Sequence, residues 1–203
     1  MNTDRIAREL KKIPLVLQKD ALHWNKIILE GVDYIQSYAN ICAKIFKREF
    51  NVKKSNSLRK IGQIKRQTLR NIRQINKRRK ELKESVRLLN IIQSRTQVMY
   101  ERVRYWSNDE LLQEYDLESS LAAGNMLELL RFLTERYNLE WEALEMVIRH
   151  LKNVASIDEA KMLVQIWLNS THAEGQEFLS MLAELFQPTE QHQDASQQDA
   201  EYD

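Results

Sequence analysis

Glycine, proline and cysteine are nearly missing from this 203-residue chain, which holds four Gly, two Pro and one Cys. The prolines, Pro14 and Pro188, lie near the ends. The long stretch between them therefore lacks the punctuation that an all-β or α/β chain requires. A single cysteine, Cys42, excludes a disulfide framework and a cysteine-based zinc site within the chain, and its place in a helical pattern makes it a small core residue. No apolar run approaches the ~20 residues of a membrane span. Asp4 and Glu9 break the N-terminal segment, and Lys19 and Asp20 break the apolar stretch after Pro14, unlike a signal peptide. These absences predict a reducing, cytoplasmic setting and no transmembrane segment.

The motifs of catalysis are missing too. There is no phosphate-cradling Gly-rich loop, no dinucleotide fingerprint, no Gly-x-Ser-x-Gly elbow and no His-Glu-x-x-His. The Glu-x-x-His pattern of di-iron bundles is also absent. His150, His172 and His192 have no evident carboxylate or thiolate partner in sequence, and Asp20 with His23 reads as a surface ion pair or cap. No enzyme, metal or cofactor is expected.

What is present is helical periodicity and a divided charge. With 43% apolar residues the chain can bury a core. Leu22, Ile27, Ile28, Val32, Ile35, Ile41 and Ile45 recur at helical steps across a segment from Leu15 to Phe50, which predicts one long amphipathic helix with Pro14 in its first turn. After a polar turn over Asn51 to Ser57, a second helix of roughly 70 Å runs from Leu58 to about Tyr105, its seam interrupted at Lys65, Thr68 and Arg79. The two are expected to fold back as an antiparallel, coiled-coil-like hairpin. Shorter helices follow over 108–115, 117–137, 139–154, 157–171 and 174–186, with Ser107 to Glu110 and Ser156 to Glu159 matching the capping box. The expected fold is thus all-α: a hairpin over 1–107, a small helical bundle over 108–187 and a disordered acidic tail over 188–203.

The formal net charge of +2 hides an asymmetry. Residues 1–107 carry 26 Lys and Arg against 9 Asp and Glu, leaving 5 against 20 for residues 108–203. Division on this scale points to nucleic acid, an anionic membrane or a charged protein partner. Within the basic half, Arg66, Arg70, Arg73, Lys77, Lys80 and Arg87 fall at steps of four, three, four, three and seven residues, forming one stripe along a helix. Lys65, Arg78, Arg79 and Lys83 broaden it. A line of guanidinium and ammonium groups neutralises a phosphate backbone with release of counterions. Gln63, Gln67, Asn71, Gln74 and Asn76 are interleaved and could bond to sugar, phosphate or base edges. The stripe contains no Phe, Tyr or Trp, which disfavours stacking on single strands, and no sequence-reading module is present.

The leading expectation is a non-catalytic accessory or assembly subunit that tracks DNA or RNA with weak sequence specificity along this stripe. The second is a scaffold that self-associates, or binds a protein partner, through hairpin and opposed charges. The third is peripheral attachment to anionic lipid. In the acidic half, Glu135, Glu140, Glu142 and Glu145, with Asp116, Glu118 and Glu128, are expected on the outside, where they keep the chain soluble or dock a basic partner. Trp141 and Trp167 read as core anchors. In outline alone, basic helical subunits of nucleoprotein complexes and membrane-remodelling filament proteins look similar; neither contributes a motif.

Overall fold

The structure, a computed structural model, describes residues 3–52, 58–108 and 118–170. These residues are predominantly helical, with no strand among them: α1 (Thr3–Leu10), α2 (Ile13–Val52), α3 (Leu58–Ser107), α4 (Glu118–His150) and α5 (Ile157–Leu168). The length of α2 and α3 follows from good helix formers uninterrupted by an internal proline.

Cross-helix contacts fix the directions of the elements. Glu9, before α2, meets Arg102 at 3.2 Å, Asp20 meets Arg95 at 2.9 Å, and Ser37 accepts a bond from Arg78 at 3.1 Å. Partner numbers fall on α3 as they rise on α2, so the two helices run antiparallel. The contacts Trp24 to Glu140 and Tyr38 to the Leu151 carbonyl lay α4 along α2 in the same sense, and Gln93 bonds Asn138 from the α3 side. Helix α5 then returns, its Trp167 indole donating to the Ile28 carbonyl at 3.2 Å.

One continuous apolar cluster holds these elements, with Leu17, Trp24, Ile28 and Ile35 of α2, Leu82, Leu89 and Ile92 of α3, Leu133, Tyr137 and Leu144 of α4, and Leu163 and Trp167 of α5. Burial of the acidic half is therefore shared with the basic half across residue 107. Close packing explains Gly31, since a Cβ there would enter the indole of Trp167.

Several expectations change. The segments expected at 117–137 and 139–154 form a single helix, α4, because nothing between Tyr137 and Leu139 breaks the ladder and the Asn138 amide bonds forward to Glu142. The segment expected to reach residue 171 ends at Leu168, where the N–H groups of Asn169 and Ser170 close the last turn. Its start is as expected: Ser156 accepts from the Glu159 N–H at 3.1 Å, while the Glu159 carboxylate takes the N–H of Ala155 rather than that of the cap. Ser107, expected to open the next helix as its cap, is the last residue of α3, where its hydroxyl donates to the Val103 carbonyl at 2.9 Å. The rest of that cap at Asp109 and Glu110, the helix expected at 108–115 beyond Asn108, the helix expected at 174–186 and the acidic tail lie outside the described residues.

Asp20 is not a surface group. It is buried, paired through one oxygen with Arg95, and its other oxygen has no hydrogen-bond partner; His23 remains exposed. Burial pushes the Asp20 carboxyl above its usual range, against the opposing pull of Arg95, His23 and Lys19. Because folding raises this pKa, the protonated form favours the native state. That stabilisation is complete below the unfolded value near ~4 and is lost as pH rises through the folded value. Asp20→Asn is thus expected to leave the melting temperature nearly unchanged at about pH 3 and to raise it near pH 7. A variant less stable than the parent near neutrality would show that the Arg95 pair outweighs the cost of burial.

Candidate nucleic-acid interface

The four-helix core tapers toward the α2–α3 connection. Cys42 is the last buried side chain described on α2, and between Ile61 and Glu81 of α3 Asn71 is the only buried one. Ile45 and Phe46 on α2 and Ile61, Ile64 and Ile75 on α3 are half-buried, so this part is a two-helix arm with a thin seam. The seam also carries unsatisfied polar atoms, Arg48 Nη1 and Asn71 Nδ2, which have no hydrogen-bond partner among the described residues. Such an arm relies on helix propensity more than on packing and opens more readily than the core.

The ten cations expected to form the stripe divide into two groups. Lys65, Arg66, Arg70, Arg73, Lys80 and Lys83 are exposed, and no described carboxylate lies within ion-pair distance of any of them. The other four are engaged or turned. Arg78 is half-buried in the α2–α3 seam, where it bonds Ser37, pairs with Glu81 at 2.8 Å and lies 5.6 Å from the centre of the Tyr34 ring. Arg79 is half-buried with a long 3.5 Å bond to Asn76. Lys77 stands 3.9 Å from Glu81 and remains exposed. Arg87 is clasped by Glu84 through two bonds of 2.6 and 2.9 Å; this pair holds the Glu84 carboxyl below its usual range and raises Arg87.

The division follows from helical geometry. Arg78 sits seven residues before Ser85 and four before Leu82, both buried, so it shares the core-facing side, whereas Lys80 and Arg73 point away from it. Two exposed α2 cations at the same end, Lys44 and Lys47, were not part of the expected stripe, because only the antiparallel fold brings them to the arm. Of the interleaved amides, Gln63, Gln74 and Asn76 are exposed and Asn71 is turned inward.

On the acidic side, Glu128, Glu135 and Glu142 are exposed as expected. Glu140 is not: it is buried and accepts the Trp24 indole N–H at 2.8 Å, and Glu145 pairs with Arg149 at 2.6 Å. Asp116 lies outside the described residues, and the side chain of Glu118 is not described. Trp167 is a core anchor as expected, while Trp141 is half-buried with an indole N–H lacking a described partner. Cys42 is buried and free, and burial pushes its thiol up from its ordinary value.

Compared with models of known protein families, the chain matches none, and a search of curated proteins likewise finds no match. Among the described residues no group of three or more His, Cys, Asp or Glu is placed to hold a metal ion. No described helix is long and apolar enough to cross a membrane.

Proposed function

We propose that the protein is a non-catalytic nucleic-acid-binding accessory subunit whose basic arm lies along a phosphate backbone. The observation that carries this reading is the set of six exposed α3 cations, Lys65, Arg66, Arg70, Arg73, Lys80 and Lys83, that lack a described carboxylate partner. Lys44 and Lys47 widen the same surface from α2. In this reading the hairpin of α2 and α3 presents the arm, and the acidic half contacts protein. A helical line of cations without aromatic platforms suits a duplex or a structured backbone better than splayed bases, so recognition is by charge and shape. The chain works in a reducing compartment, where Cys42 stays a thiol.

The test is a variant with Arg66, Arg70, Arg73 and Lys80 all changed to Gln. These groups are exposed, so helicity is expected to be unchanged. Binding to a short duplex should weaken, and the slope of log affinity against log salt should become less steep by about 3 to 4. Unaltered affinity and slope, measured by fluorescence anisotropy, would reject the arm as the binding surface.

A further inference from the structure

The outer faces of α3 and α4 carry matched ladders of opposite charge. On α3, Arg73, Lys80 and Arg87 are exposed at seven-residue intervals; on α4, Glu128, Glu135 and Glu142 are exposed at the same interval. Seven residues return a helix to within ~20° of the same direction, so each ladder is a nearly straight line roughly 21 Å long. Each also points directly away from the core. Lys80 and Arg87 precede the buried Leu82 and Leu89 by two residues, and Glu128, Glu135 and Glu142 precede the buried Leu130, Tyr137 and Leu144 by two. A two-residue step is ~200°, the opposite side of the helix. Both ladders therefore face outward, and neither neutralises the other within one chain.

We propose that the outer face of α3 docks on the outer face of α4 of a second copy. Laid antiparallel, Arg73 meets Glu142, Lys80 meets Glu135 and Arg87 meets Glu128 of the second copy. Between these three rungs the same register also matches the exceptions; one rung beyond them Arg66 falls opposite Arg149, whose charge is already paired with Glu145. Glu84 is the one exposed acid interrupting the basic ladder and Arg131 the one exposed base interrupting the acidic one, and they fall opposite each other. Leu69, 59% exposed, then falls opposite Met146, 44% exposed, which gives the contact an apolar end. The parallel register loses this: it sets Glu84 against Leu139 and Arg131 against Asn76. The intrahelical pair of Arg87 with Glu84 is solvent-exposed and yields to new partners at little cost.

A chain presents both ladders at once on different sides, so the contact is heterologous and copies add head to tail. It uses cations that the phosphate reading also uses, and the two ligands exclude one another: nucleic acid releases the assembly, and the assembly conceals the arm. Neither needs the other to be correct. A monomer that binds nucleic acid overturns only the contact, and a variant with Glu128→Lys, Glu135→Lys and Glu142→Lys, whose arm no second copy can cover, overturns only the phosphate reading if it binds none.

The experiment is sedimentation of the full chain without nucleic acid at low and high salt. The wild type is expected to associate at low salt, with association weakened about tenfold or more at high salt. Two triple variants, Arg73→Glu with Lys80→Glu and Arg87→Glu, and Glu128→Lys with Glu135→Lys and Glu142→Lys, should each be monomeric with unchanged helicity, and their mixture should associate again. A control of equal charge change placed elsewhere on exposed lysines, Lys11→Glu with Lys19→Glu and Lys152→Glu, should associate like the wild type. A wild type of monomer mass at low salt overturns the proposal. So does a control that dissociates as fully as the ladder variants, or a mixture that stays monomeric.

Discussion

Gly31→Ala is expected to lower stability by about 2 to 4 kcal/mol, an unusually large effect for adding one methyl group to a helix. In an open helix the same change would stabilise by about 1 kcal/mol, because Ala restricts the unfolded chain and favours the helix. Here the added Cβ would fall within the indole of Trp167, 2.6 Å from Cε2 and 2.8 Å from Nε1. Backbone on one side and a fully buried ring on the other leave no room to yield. Trp167 must leave its site, and with it goes the hydrogen bond to the Ile28 carbonyl that ties α5 to α2. The cost then approaches that of deleting a buried tryptophan, about 3 to 5 kcal/mol, offset in part by the helix propensity of Ala. Chemical denaturation measures it directly. A second variant isolates the cause: with Trp167→Leu already in place, Gly31→Ala should cost far less, and an equal cost in both backgrounds would refute the steric account.

Trp24→Ala should be as damaging, at about 3 to 5 kcal/mol. Trp24 is almost fully buried, stacks on Tyr137 with ring centres 4.0 Å apart, and donates its indole N–H to Glu140. Its removal opens a cavity between α2 and α4, ends the stacking and deprives a buried carboxylate of a donor. Trp24→Phe keeps most of the ring volume and loses the donor. Its smaller loss, measured by the same denaturation, reports the polar part of the contact. Against a marginal total of about 5 to 15 kcal/mol, the alanine variant gives up at least about a fifth of the stability of the chain.

Much of this was legible in the sequence because helix leaves a periodic trace. Scarce Gly and Pro gave the class, and the three- and four-residue steps gave the limits of α2 and α3 to within a few residues. The continuity of α4 was not legible. Asn138 looks like a breaker in sequence, yet its amide side chain is occupied by Gln93 and Glu142 and leaves the backbone ladder intact. Buried charge was hidden for a different reason. Nothing local marks Asp20 or Glu140 as interior residues; they are interior because Arg95 and Trp24 reach them from other helices, 75 and 116 residues away in sequence. The same holds for Gly31, whose need for a missing side chain is set by a tryptophan more than a hundred residues later.

The stripe shows both sides of this. Spacing alone places Arg66, Arg73 and Lys80 on one outward line, and the structure exposes all three. Spacing did not separate Arg78, which belongs to the seam with Ser37 and Tyr34, because that assignment depends on where α2 lies. Nor could it add Lys44 and Lys47. A linear pattern reports faces of one helix; the surface that a ligand meets is assembled from two.

The most direct measurement is equilibrium binding of the full chain to duplex and single-stranded oligonucleotides of DNA and RNA across a salt series. Binding is expected at low salt, stronger for duplex than for single strands, with log affinity falling linearly against log salt at a slope near −0.9 for each phosphate neutralised, hence roughly −5 if each of the six α3 cations without a described carboxylate partner neutralises one phosphate. Absence of binding at low salt both by the chain and by its variant with Glu128→Lys, Glu135→Lys and Glu142→Lys, whose arm no second copy can cover, or binding whose strength does not respond to salt, would contradict the claim that the arm holds a phosphate backbone.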